Sequence, residues 1–291
     1  MQVNSTQLRS FRLVAGLLLA TSLSAADAPG REARELFRAF QAREATEVVQ
    51  AGLTLEKARQ IQNEFVAALA PHYGRRAGYK VGLTSKAVQE SLGAKAPARG
   101  VLFEKMLLGN DARVSARYAA RPIFEPDLVA IVKDDGLNSA KTPLEVLAHL
   151  TEIVAFIELP DRLVAASVKT DGHLVTAINV SARLGVLGDR RKVEPTESWV
   201  KALAEMKVTL KDDSGAVLAD ARGDALLGNP LNSILWLIED LKATGERLKP
   251  GDILSLGSFS RPVEPKAGQK VTLRYDGLPG GPMTARVEFL E

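Results

Sequence analysis

Cysteine is absent from the 291-residue chain. That excludes disulfide staples, thiol nucleophiles, cysteine-based zinc sites and iron–sulfur clusters, and it leaves no thiol to be oxidised outside the cytosol. Histidine is scarce: His72, His149 and His173 are the only three, and they form neither an HExxH motif nor a close pair. No Gly-x-Ser-x-Gly elbow is present, so serine-hydrolase chemistry has little support. An excess of charge of one sign is lacking too, with 38 basic against 35 acidic residues, and this balance argues against nucleic acid or a polybasic membrane surface as partner. Internal repeats and low-complexity tracts are also missing.

Long apolar runs are missing except at the start. Arg9 and Arg12 precede an apolar stretch from Leu13 to Leu23, and Ser24-Ala25-Ala26 supplies small residues for cleavage before Asp27. Residues 1–26 read as a secretory signal peptide, since the apolar segment is short for a membrane span; an uncleaved anchor is the alternative. The expectation is an exported, periplasmic mature chain, off the membrane after cleavage. The leader takes two arginines with it and leaves a net charge near +1.

What remains is long enough for one large domain with a helical appendage. Residues 27–78 read as a helical region. Ala33, Leu36, Phe37 and Phe40 recur at helical spacing, and Thr54 opens a second helix that Pro71 and Gly74 should end. Residues 79–291 turn to short β-like runs: Leu128–Lys133, Glu152–Leu159, Lys207–Lys211, Val217–Ala219, Ile253–Leu256, Lys270–Tyr275 and Thr284–Leu290. Asp212-Asp213-Ser214-Gly215 is a hairpin turn signal. Three helices should interrupt them, after Thr142-Pro143, after Thr196 and from Asn229-Pro230. The fold class is α+β, because helices and strands do not alternate as a doubly wound sheet requires.

Glu125-Pro126-Asp127 leads into the apolar run Leu128–Val132. Two carboxylates two residues apart project from one face of an extended segment. Hard oxygen ligands arranged so suit Mg²⁺ or Mn²⁺. Glu158, ending the run Ile153–Ile157, is a third candidate. Solvated acids at strand ends give the same pattern, so the spacing leaves both readings open.

From Tyr79-Lys80-Val81-Gly82-Leu83-Thr84-Ser85-Lys86 and Gly100-Val101-Leu102-Phe103, the chain resembles the 2-keto-4-pentenoate hydratase and 4-oxalocrotonate decarboxylase branch of the fumarylacetoacetate hydrolase superfamily. The likeness continues in order through Pro122–Asp127, the Glu158 strand, Asn179-Val180-Ser181, Gly228–Asn232 and Leu248–Leu254. It implies a β-rich core, a mixed β-roll or barrel, beneath the N-terminal helices. It also implies that Glu125, Asp127 and Glu158 ligate Mg²⁺ or Mn²⁺, that Lys80 is catalytic, and that Asn179 and Ser181 contact substrate. The implied activity is a metal-dependent hydratase for a 2-oxo or 2-hydroxydienoic acid such as 2-keto-4-pentenoate, working by chelation of the 2-oxo acid and stabilisation of its enolate. A homo-oligomer is implied by the same likeness.

Three departures qualify it. Asp127 stands where glutamate is usual. Ala98-Arg99 stands where an acidic residue often precedes Gly-x-Leu-Phe. Leu256 stands where threonine is common, with Ser255 beside it. Arg99 and Arg183 are extra cations that could bind a second substrate carboxylate or form structural ion pairs. Decarboxylation or tautomerisation of an oxo-dicarboxylate, or a catalytically weak organic-acid-binding protein, are the alternatives.

Overall fold

The computed structural model describes residues 29–291, so the leader expected over residues 1–26 lies outside the described residues. Among the described residues no helix is long and apolar enough to cross a membrane. The chain begins with helices α1 (Arg31–Ala42) and α2 (Leu55–Tyr73), the second capped by the Thr54 side chain. Pro71 lies inside the last turn of α2 rather than ending it. The chain leaves at Gly74, whose positive φ of 85° a side chain would oppose.

Then follow β1 (Arg76–Gly82), α3 (Lys86–Ser91), β2 (Ala98–Phe103), β3 (Leu107–Leu108), β4 (Ala112–Ser115) and β5 (Glu125–Val132). After α4 (Pro143–Ala148) come β6 (Leu150–Leu159), α5 (Gly172–Ala177), β7 (Leu184–Lys192) and α6 (Glu197–Glu205). The last elements are β8 (Lys207–Asp212), β9 (Val217–Arg222), α7 (Leu231–Ala243), β10 (Ile253–Ser255), β11 (Lys270–Asp276) and β12 (Met283–Leu290). Five α-helices, not the expected three, interrupt the strands. The two additional ones, α3 and α5, are six residues each, too short to show a periodic face. Threonine caps at Thr142 and Thr196 open α4 and α6 as expected.

Two sheets result: a seven-stranded one in the order β2-β1-β10-β5-β6-β7-β3, and a five-stranded one in the order β4-β12-β11-β8-β9. Their facing sides form the main core. Tyr79, Leu128, Ala130, Ile153, Ala155, Ile157 and Leu254 meet Leu210, Leu273, Tyr275, Ala285 and Phe289, with α4, α6 and α7 closing the sides. A second apolar cluster holds α1 and α2 against Phe103, Met106, Leu163 and α5. The other face of the seven-stranded sheet carries Lys80, Glu125, Asp127, Glu158 and Ser255. Alternation along each strand puts them opposite the core residues just named.

Candidate active site

Pairing register assembles the site from four adjacent strands. Glu125 on β5 lies directly opposite Glu158 on β6. Lys80 on β1 lies opposite Ser255 on β10, and Ser255 in turn opposite Val129 on β5. Glu125-Pro126-Asp127 is therefore already within the strand rather than ahead of it.

The Lys80 ammonium forms an ion pair with Glu158 Oε1, both side chains being almost fully buried. Apart from that pairing, Glu158 Oε1 has no hydrogen bond among the described residues. Nor, among the described residues, is any donor hydrogen-bonded to the Glu125 carboxylate. Burial, and next the neighbouring Glu158 charge, push Glu125 up to about 8 despite the opposing pull of Lys80. Asp127 is raised by the same two causes to about 7, with the Ser255 hydroxyl pulling the other way. Three carboxyl groups thus crowd one ammonium, and the mutual repulsion that makes two of them hold their protons is what a cation would relieve.

Asp127 is placed differently from the two glutamates. Its Oδ1 accepts the backbone N–H groups of Leu128 at 2.6 Å, Leu256 at 3.1 Å and Gly257 at 3.0 Å. Its Oδ2 accepts the Ser255 hydroxyl at 2.5 Å. Among the described residues, no three His, Cys, Asp or Glu side chains are grouped closely enough to hold a metal ion as they stand. By donor chemistry, Glu125 and Glu158 fit a hard divalent cation, whereas both oxygens of Asp127 already accept protein donors.

Beside Lys80 the chain makes an unusual turn. Asn179, Val180 and Ser181 all have left-handed φ values, 55°, 52° and 59°, a strained run for a segment containing valine. It packs on Gly100, the cross-strand neighbour of Lys80. A Cβ there would lie 2.7 Å from the Asn179 carbonyl and 2.9 Å from Lys80 Cγ. The Asn179 amide is committed to β2. Its Oδ1 accepts Val101 N–H at 2.8 Å and Gln62 Nε2 at 3.3 Å, and its Nδ2 donates to the Val101 carbonyl at 3.0 Å. Ser181 is half-buried, and among the described residues its hydroxyl has no hydrogen-bond partner.

Arg99 sits opposite Val81 and so faces away from Lys80, its guanidinium 5.5 Å from the Tyr79 ring centroid. Its Nε pairs with Asp240 at 3.2 Å and its Nη2 with Glu246 at 2.9 Å, while the buried Nη1 has no partner among the described residues. It lines a cleft of about 470 Å³ together with Ala98, Leu83, Arg59, His173 and Trp236. Lys80 and the three carboxylates are not among the residues lining that cleft. Arg183 is buried, its Nη1 2.9 Å from Asp161 and 3.0 Å from the Phe40 carbonyl, so it joins α1 to the core. His149 caps α4 and pairs with Asp134 at 2.7 Å.

Ser255 and Tyr275 were not among the expected site residues. Both touch Asp127, the Tyr275 hydroxyl donating to its backbone carbonyl. Only the threonine usually found next to Ser255 hinted at the former, and nothing local marks the latter.

No family model matches the chain. It is 31% identical over 224 residues to a 2-keto-4-pentenoate hydratase of Paraburkholderia phymatum, covering 76% of this chain and 80% of the relative. It is 32% identical over 207 residues to 2-keto-4-pentenoate hydratase 1 of Dechloromonas aromatica, covering 70% and 76%. Its fold is similar to that of 4-oxalocrotonate decarboxylase from Pseudomonas putida G7, a structure complexed with magnesium and adipate. That likeness has a TM-score of 0.77 and 23% identity, over 89% of this chain and 96% of the other.

Proposed function

The chain belongs to the 2-keto-4-pentenoate hydratase family of carbon–oxygen lyases, and from that premise we propose that it hydrates a 2-oxo or 2-hydroxydienoic acid with a divalent ion, Mg²⁺ or Mn²⁺. The observation that carries this reading is the buried Lys80–Glu158 pair beside a Glu125 carboxylate that no donor among the described residues reaches. Glu125 and Glu158 are the residues that would hold the ion. The chemistry such an ion supplies when bound is Lewis-acid stabilisation of negative charge on the 2-oxo oxygen.

The chain's own groups account for the proton handling. Lys80 is the group assigned to give and take a proton at the substrate's carbon chain, with Glu158 orienting its ammonium. In the dienol the enol proton leaves while a proton arrives at C5. Water then adds its oxygen to C4 and a proton to C3. We assign to the Ser181 hydroxyl, in the left-handed turn that packs on Gly100, a hydrogen bond to a substrate carboxylate. Burial of the pair excludes bulk water, so charge developing there is felt at low dielectric. Arg99 lies on the other sheet face, where Asp240 and Glu246 hold its guanidinium.

A second reading has its own support. Ala98 leaves no carboxylate opposite Gly82, where the family often has an acid. Decarboxylation or tautomerisation of an oxo-dicarboxylate needs no such group to activate water. Export of the chain from residue 27 and assembly into a homo-oligomer belong to the same proposal. They are checked by fractionating cells and by sizing the purified protein.

The decisive experiment follows a 2-hydroxydienoate by ultraviolet absorbance with Mg²⁺ or Mn²⁺, using Lys80→Ala and Glu125→Ala as controls. Turnover by the wild type alone supports the lyase. Binding of the acid without turnover points to an organic-acid-binding protein, and failure to bind any divalent ion overturns the metal-dependent reading.

A further inference from the structure

Both oxygens of the Asp127 carboxylate are held by donors of the protein itself. Each carboxylate oxygen offers about two lone-pair sites: Asp127 Oδ1 accepts three backbone N–H groups, more than it can satisfy singly, and Oδ2 accepts the Ser255 hydroxyl. The side chain is fully buried, and the Tyr275 hydroxyl occupies its backbone carbonyl. One residue therefore ties β5, the end of β10 and β11 of the other sheet together. Glu125 is the reverse case, with no donor on either oxygen among the described residues, and Glu158 is met there by the Lys80 ammonium alone.

Resting on the reading that this site takes a divalent ion, we infer that Asp127 is a positioning residue and not a third ligand, so that Glu125 and Glu158 alone supply protein oxygens to the ion. The aspartate arm is one methylene shorter than glutamate, and Ser255 meets it on the same sheet face. β10 is only three residues long, yet it is the strand that joins β1, carrying Lys80, to β5, carrying Glu125. Clamping its end sets the lateral spacing between the lysine and the carboxylates. Two carboxylates are enough for an octahedral ion that keeps several water or substrate oxygens.

The test compares Asp127→Ala, Asp127→Asn and Glu125→Ala in the full mature chain. In chelator-treated protein, Asp127→Ala should melt about 5 °C or more below wild type, because four donors lose their acceptor. Glu125→Ala should melt at or above wild type, because it removes a carboxyl group that burial and the Glu158 charge disfavour and that no donor among the described residues satisfies. Asp127→Asn keeps an acceptor for the three N–H groups, and its amide can donate to Ser255. On bound Mn²⁺, electron-nuclear double resonance with ¹⁷O-water should count the same number of water ligands, about four, in wild type and Asp127→Asn. One extra water in Asp127→Asn, or an Asp127→Ala chain that melts like Glu125→Ala, overturns the inference. If Asp127→Ala does not fold, the water count on Asp127→Asn still decides. If the wild type takes up no Mn²⁺, the metal-dependent reading fails, while the melting contrast still tests the clamp.

Discussion

Replacing Asn179 by alanine removes an amide that does the work of a missing strand. β2 is the edge of the seven-stranded sheet, and the Asn179 side chain satisfies both the N–H and the C=O of Val101 on its open side. Alanine leaves those two backbone groups without partners, at about 1–3 kcal/mol each. Val101 is only half-buried, which favours the lower half of that range. Alanine also tolerates a φ of 55° less well than asparagine, adding about 1 kcal/mol. The sum is about 4 kcal/mol, and at about 2–4 °C per kcal/mol for a chain of this size the midpoint should fall by roughly 8–16 °C. The assay is a thermal melt followed by circular dichroism, with Asn179→Asp alongside. Aspartate can accept from Val101 N–H but cannot donate to its carbonyl, so it should fall between the two. An Asn179→Ala protein that melts within about 2 °C of wild type while its KM rises tenfold would refute this reasoning. It would make the amide a substrate group instead.

Other outcomes follow from the same geometry. Lys80→Met keeps the stem but removes the ammonium, and turnover of a 2-hydroxydienoate should drop by about 10²–10⁴-fold, read as kcat. In metal-free protein, Glu125 and Asp127 bind protons more tightly when folded, near 8 and 7 against ordinary values of 4.5 and 3.8. The unfolded chain therefore releases those protons first. Stability should be fully present below about pH 4, decline as pH rises to about 8, and level off beyond it. Melting in chelator across that range checks the sign, and added Mg²⁺ should flatten the slope. Gly100→Ala places a Cβ 2.7 Å from the Asn179 carbonyl, so it should displace the left-handed turn and lower both the melting point and activity. Arg183→Met leaves Asp161 as an unpaired buried carboxylate and should cost about 3–5 kcal/mol in a denaturant titration, with KM unchanged in the folded fraction.

Much of the candidate site was legible because its residues announce themselves locally. Glu125 and Asp127 alternate along an apolar strand, and Glu158 ends another, so three acids on strands stand out from the residue pattern alone. The pairing of Glu125 with Glu158, and of Lys80 with Ser255, is a matter of register between distant segments, which no local pattern encodes. Arg99 shows the same limit: its side chain faces away from Lys80 because it pairs with Val81, one position from the glycine opposite Lys80. The long strands β5, β6, β11 and β12 were visible through alternation or apolar runs. The six-residue helices α3 and α5 bury too little for a periodic signal. The hydrogen bonds that occupy Asp127 come from β10 and from the backbone beyond it. The substitution of aspartate for glutamate was therefore readable, and its consequence was not.

β10 enters the sheet between two strands made much earlier, with Gly78 beside Ile253 and Ile131 on its other side. While the chain is being synthesised, β1 therefore has no neighbour on that side until nearly the whole polypeptide exists. Contacts that span so much sequence form slowly and late. A fragment ending before Ile253 would carry every acidic residue of the site and still lack the strand that spaces them from the lysine. Catalytic competence is thus withheld until the chain is almost complete, a timing that also suits the export proposed for it, since a chain crossing a membrane unfolded gains nothing from an early site.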